Sequence, residues 1–185
     1  MNTLQVLLYR YMMYIANGNL IFRGNFMDVK IGIGFDVHKL VENRILLLCV
    51  VEFEHPLWLL GHSDADVALH AVADAVLGAA GAGDIGQWFP DNDPAYKDAD
   101  SGRLLQTIIN SEALAGYSIG NVDLVIICQQ PKILPMVGAM KENLAKLLKC
   151  NISQISIKGK TTEGLGFTGR GEGIAAQAAV ILKKA

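Results

Sequence analysis

The chain has 185 residues, 51% of them apolar and 18% charged, which supplies one buried core and is too apolar for a disordered chain. Sixteen Lys and Arg against eighteen Asp and Glu give a net charge of −2, which argues against a nucleic-acid binder held mainly by phosphate contacts. The charge is uneven: residues 1–27 hold Arg10 and Arg23 and no acid, so all eighteen acids lie from Asp28 onward.

The opening segment contains no unbroken apolar run of about 18 residues, so it predicts no spanning helix and no membrane partner. Arg10 splits the apolar stretch a secretory peptide would need, and the absence of Ser is unlike an organelle transit peptide. Residues 1–27 are therefore expected to be a dispensable extension, and 28–185 the working domain. Cys49, Cys128 and Cys150 are odd in number and show no CxxC spacing, which excludes a disulfide framework and an all-Cys zinc site. They read as small apolar residues of a protein in a reducing, cytoplasmic compartment.

Lys30–Val37 predicts a buried strand, with Gly32 and Gly34 admitting close backbone neighbours. Arg44–Phe53 is a second apolar run, and Glu54–Gly61 a loop in which His55 is structural. Asp64–Ala80 predicts a helix with Ser63 as N-cap and Gly81 at its end. Gly81–Ser101 reads as one long loop, of the kind that carries function. Helices follow over Ser101–Ala115 and Leu134–Lys149, and strands over Asn121–Cys128 and Ile152–Lys158. Thr161–Gly173 is Gly-rich, and Ile174–Lys184 closes the chain as a strand or a helix. This alternation predicts one α/β domain with helices packed on a sheet.

Asp36 and His38 are two apart on a strand, so both side chains share one face. Asp66 and His70 are four apart on a helix: either His70 is a metal ligand, or the two form a plain ion pair. Two His and one Asp suit zinc with an open fourth position, and Asp36, His38 and His70 make such a set, leaving His62 free for substrate. The run from Asp84-Ile85-Gly86 through Phe89-Pro90-Asp91-Asn92-Asp93 is either a solvated loop of Asx turns or a recognition site for substrate hydroxyls. Lys160-Thr161-Thr162-Glu163-Gly164 offers hydroxyls, amides and a cation to phosphate. Glu163 fits there only with a divalent cation between it and the phosphates. A Walker motif is absent, which disfavours a P-loop fold.

These residues together resemble a known family. Ile33-Gly34-Phe35-Asp36-Val37-His38, Gly61-His62-Ser63-Asp64-Ala65-Asp66 through His70, Gly83-Asp84-Ile85-Gly86, Phe89 to Pro94 and Gly166 to Gly173 look like the 2-C-methyl-D-erythritol 2,4-cyclodiphosphate synthases. The resemblance covers about Lys30 to Lys184. It implies a single α+β domain whose mixed sheet is covered on one face by helices, assembling as a homotrimer with active sites shared between subunits. It implies that Asp36, His38 and His70 hold zinc and that Glu163 holds a second cation, Mg²⁺ or Mn²⁺. His62 and Thr161 resemble the pair that steadies the transition state. Asp36, His38, Ser63, Asp84, Ile85, Gly86, Phe89, Asp91 and Asp93 resemble the sugar side of the substrate site. Cys128, Pro131, Lys132, Leu134, Lys160, Thr161, Thr162 and Glu163 resemble its nucleotide and phosphate side. Phe167 and Arg170 resemble residues at a central trimer cavity that holds isoprenoid diphosphates. The implied reaction is a metal-dependent cyclisation in the non-mevalonate isoprenoid pathway, releasing CMP. The chain departs from the family at Leu47-Leu48-Cys49-Val50, where a Gly-Gly turn is usual, at Leu57-Trp58-Leu59, and at Lys160.

Overall fold

A computed structural model describes residues 11–16, 19–24, 28–42 and 45–184. Strands β1 (Tyr11–Ala16) and β2 (Asn19–Gly24) pair antiparallel as a separate two-stranded sheet. The rest of the expected extension, and Arg44 at the start of the second apolar run, lie outside the described residues.

The central sheet has five strands in the order β6-β3-β9-β7-β8, formed by β3 (Val29–Val41), β6 (Trp58–Leu59), β7 (Tyr117–Ile127), β8 (Ile155–Lys160) and β9 (Gly173–Lys184). It is mixed: β7 and β8 run parallel and every other pair is antiparallel. Residues 174–184, open to strand or helix by composition, are the central strand, with Ala176 and Ala178 buried between β3 and β7.

Helix α1 (Val67–Ala80) lies across β3 and β9, and nearly all its residues are buried. A helix backbone comes this close only where the strand has no side chain. A Cβ at Gly32 would stand 1.9 Å from the Ala75 carbonyl oxygen, and one at Gly34 2.0 Å from that of Ala71. The same helix layer holds α3 (Ser101–Ile109), packed on α1, and α4 (Val137–Leu148), packed on α3 and β8.

Strand β3 corrects the expectation of a buried apolar strand. Side chains alternate across a sheet, and the face under α1 carries Gly32, Gly34, Asp36 and His38. The apolar set points the other way: Ile31 is 68% exposed, Ile33 66% and Phe35 55%. One face of the sheet is thus covered by helices; on the other, β3 presents a bare apolar row in the single chain, with Gln177 of β9 and the Asp123–Lys158 ion pair of β7 and β8 beyond it.

Other boundaries move for local reasons. The second apolar run is a hairpin, β4 (Leu46–Leu48) and β5 (Val51–Phe53), turning at Cys49 and Val50 with φ of 51° and 61°. The loop after it contains β6. The expected long loop contains a short helix α2 (Ile85–Trp88), capped by Asp84, and a 3₁₀ turn at Pro94–Tyr96, capped by Asp93. The helix expected to reach Ala115 ends at Ile109 and is followed by a 3₁₀ turn at Glu112–Leu114. The Gly-rich segment holds one turn of helix, α5 (Gly166–Gly169).

Candidate active site

Past the glycines, β3 emerges from under α1 and presents Asp36 and His38, and the first turn of α1 presents His70 towards them. Asp36 Oδ2 lies 3.0 Å from His38 Nε2 and 2.9 Å from His70 Nδ1, and the two nitrogens are 3.0 Å apart. Three donor atoms therefore ring one point. Tetrahedral zinc with ligands at about 2.0–2.1 Å would hold its donors about 3.3 Å apart, so the ring fits such an ion with an opening of a few tenths of an ångström. Burial pushes the Asp36 carboxyl upward, but the bonds and charge of His38 and His70 outweigh it and hold the group well below its ordinary range. A permanently anionic oxygen and two imidazole nitrogens are a donor set for a divalent metal.

His70 makes no ion pair with the Asp66 side chain, which removes the plain helix pair from the two alternatives left by their spacing. Asp66, 1% exposed, is the N-cap of α1: its Oδ1 accepts the Leu69 N–H at 3.1 Å and its Oδ2 the Val50 N–H at 2.8 Å. Burial raises its pKa, and the N–H groups of Val50, Leu69 and Cys49 lower it only in part. Ser63, expected as the cap, stands outside the helix because Ala65 takes a left-handed φ of 59° before the first turn. Its hydroxyl accepts the Ala65 N–H at 3.1 Å and sits 3.0 Å from His70 Nε2.

The ring opens into a cavity of about 580 Å³ that His62, Ser63, Ile85, Gly86, Phe89 and Asp91 also line. Tyr96 and Leu104 line it too, though nothing in their local sequence marks them. Phe89 and Tyr96 meet edge to face at 5.2 Å, giving the cavity an aromatic wall. Asp84 and Asp93 do not line it. Their carboxylates accept the Gln87 and Ala95 N–H groups, both at 2.9 Å, and so shape the loop that does.

A second cavity, about 390 Å³, lies beside the ends of β7 and β8 and is lined by Cys128, Pro131, Lys132, Leu134, Lys160 and Thr161 among others. It shares no lining residue with the first. Burial pushes the Cys128 thiol up to about 11, with Lys132 pulling weakly the other way. The Thr161 hydroxyl donates to Glu163, and the Thr162 hydroxyl donates to the Leu165 carbonyl at 2.6 Å. Thr162 and Glu163 lie just beyond the lining. A third hollow, about 510 Å³, is bordered by Val37, Phe167 and Glu172. Arg170 is engaged by Glu172 through a 2.7 Å Nε–Oε1 bond.

Fold and donor ring define a class: an α+β domain carrying two histidines and one carboxylate that can hold a divalent metal, where a helix crosses a mixed sheet. The particular family follows from comparison. The YgbB family model matches residues 29–183, and this chain belongs to the YgbB family. A 2-C-methyl-D-erythritol 2,4-cyclodiphosphate synthase of Bacillus velezensis is 56% identical over 156 residues, 84% of this chain and 99% of the relative. Among solved structures, the bifunctional IspDF of Campylobacter jejuni is 42% identical with a TM-score of 0.82, covering 86% of this chain and 43% of that longer one. The CDP complex of IspF from Plasmodium falciparum is 34% identical with a TM-score of 0.74, over 86% and 99% of the two chains.

Proposed function

We propose that residues 28–185 form a 2-C-methyl-D-erythritol 2,4-cyclodiphosphate synthase. It converts 4-diphosphocytidyl-2-C-methyl-D-erythritol 2-phosphate to the cyclic diphosphate with release of CMP. The carrying observation is the donor ring of Asp36, His38 and His70 opening into a cavity, in a chain 56% identical to a synthase of that name.

In this reaction the 2-phosphate oxygen bonds to the β-phosphorus, the bond from that phosphorus to the bridging oxygen breaks, and CMP leaves with the electron pair. Asp36, His38 and His70 would hold zinc, and the ion would supply Lewis-acid polarisation of phosphoryl oxygens. Glu163 would hold the second cation, Mg²⁺ or Mn²⁺, which would supply charge neutralisation beside the phosphates. The protein supplies positioning and charge, which suffice for phosphoryl transfer without a protein nucleophile. Ser63, Ile85, Gly86, Phe89 and Asp91 surround the methylerythritol, and Asp84 and Asp93 fix the loop around it. Lys132 and Lys160 meet the nucleotide phosphates, while Cys128, Pro131 and Leu134 border the base. His62 and Thr161 steady the transition state.

His62 lines one cavity and Thr161 the other, and the cavities share no residue. A site that uses both is therefore completed by a neighbouring chain. The bare face of Ile31, Ile33 and Phe35 gives that neighbour an apolar surface, and we infer a homotrimer closed around it. Phe167 and Arg170 then flank its central cavity, where an isoprenoid diphosphate binds. Residues 1–27 precede the family match; they are read as dispensable, and deletion of 1–26 is expected to leave turnover and trimer intact. No helix among the described residues is long and apolar enough to cross a membrane, and we assign the enzyme to the cytoplasm.

Phosphorus NMR of the purified chain with substrate, Zn²⁺ and Mg²⁺ tests this. CMP and the cyclic diphosphate are expected in equal amounts. Inorganic phosphate or an open-chain product without the cyclic one would overturn the reading in favour of a hydrolase.

A further inference from the structure

Behind His70, on the side away from the donor ring, lies a buried polar chain that the reaction does not use. His70 Nε2 is 3.0 Å from Ser101 Oγ, and Ser101 is only 2% exposed. The Ser101 hydroxyl donates to Asp64 Oδ1 in a short bond, and the Ser101 backbone N–H donates to Asp64 Oδ2 at 3.0 Å. Asp64 thus grips Ser101 twice, at the first residue of α3.

This fixes the direction of every proton in the chain. A carboxylate only accepts, so the single hydroxyl proton of Ser101 is committed to Asp64. The Ser101 oxygen can then only accept from His70, and Nε2 must carry a proton. A neutral imidazole protonated at Nε2 has its lone pair at Nδ1, the atom that lies 2.9 Å from Asp36 and 3.0 Å from His38. Ser63, 3.0 Å from the same nitrogen, alone would leave the choice open, because its hydroxyl can turn either way.

We propose that Ser101, oriented by Asp64, is a positioning residue that sets the His70 tautomer and so readies Nδ1 for the metal. The inference rests on the reading of the donor ring as a metal centre. It also gives the loop over residues 81–100 a link to the metal, since α3 begins where that loop ends and Asp64 ties the junction.

The test is metal affinity in the full chain, read by competition between the protein and a chromophoric chelator for Zn²⁺ and by the visible absorption of the Co²⁺ form. Ser101→Ala is expected to weaken both by about 10–100-fold, the usual cost of losing a partner behind a metal ligand. Ser101→Thr, which keeps the hydroxyl, is expected to restore affinity to within about threefold of wild type. Asp64→Asn should act like Ser101→Ala although the serine remains. Its amide nitrogen takes the Oδ1 position, since the Ser101 N–H cannot turn away from Oδ2. The hydroxyl is then driven round to donate to Nε2, and Nδ1 gains the proton; the 3.2 Å bond from the Asp66 N–H to Oδ1 is lost as well. In ¹⁵N-histidine NMR of the wild-type chain, the His70 proton should sit on Nε2, a result that needs no variant to fold. Unchanged affinity in Ser101→Ala, or a proton on Nδ1 in the wild type, overturns the proposal. A wild-type chain that binds neither Zn²⁺ nor Co²⁺ overturns the metal centre itself.

Discussion

The cavity around His70 and the cavity beside Thr161 are built by different means. The first is made of side chains converging from β3, α1 and the start of α3, tied to one another at 2.9–3.0 Å. The second is made of strand ends and a turn, with Cys128, Ile133 and Ile157 buried at its floor and Leu134 at its edge 83% exposed. The first can take its metal within one chain. In the proposed trimer the second is a half-surface that a neighbouring chain completes. A shared active site can thus keep its exacting chemistry inside one subunit and leave the interface to bring the looser half into place.

Separate loss and joint rescue would break or sharpen this contrast. His70→Ala should lose bound zinc and at least about 10³-fold in turnover, since a metal centre contributes several kcal/mol to the transition state. Thr161→Ala should lose about 10²–10³-fold in turnover while keeping its zinc by elemental analysis. Mixing the two inactive variants after mild dissociation should restore part of the activity, because one subunit then supplies an intact metal half and its neighbour an intact Thr161. No recovery in the mixed trimer would place both halves in one chain.

A smaller effect sits beside the first cavity. Val50 holds φ of 61° at the β4–β5 turn, and its N–H is gripped by Asp66. A β-branched residue pays for the left-handed region, so Val50→Gly should raise stability by about 1 kcal/mol in urea unfolding. The smallest concerns the second cavity. With its thiol pushed to about 11, Cys128 should alkylate slowly at pH 7–8, and its rate should rise about tenfold per pH unit until it levels near that value. A plateau below pH 9 would mean a wetter cavity.

The donor ring was legible in part: strand periodicity put Asp36 beside His38, and the zinc-like donor set and the family resemblance, not periodicity, joined His70 to them. Ser101 was not, since its partners are 31 and 37 residues away and no local pattern marks it. Strand β3 was misread for a physical reason: its glycines make the intramolecular contact, while its apolar residues face outward, onto the face assigned to a neighbouring subunit in the proposed trimer. The Cys49-Val50 turn was marked only by the family resemblance, because neither residue is a turn former. It exists because Asp66, buried for the sake of α1, offers its carboxylate to the N–H groups there.

The bare backbone of Gly34 has a last consequence. Strand-to-helix spacing at that point sets how far His70 stands from Asp36 and His38, so the missing side chain acts as a calliper on the ion. A methyl group there would meet the Ala71 carbonyl oxygen at 2.0 Å and force α1 outward, widening the ring. Zinc wants donors at about 2.0–2.1 Å, whereas calcium accepts about 2.3–2.6 Å. In the proposed metal centre, a preference for a small cation is thus expected to begin at Gly34, two residues before the first donor, Asp36.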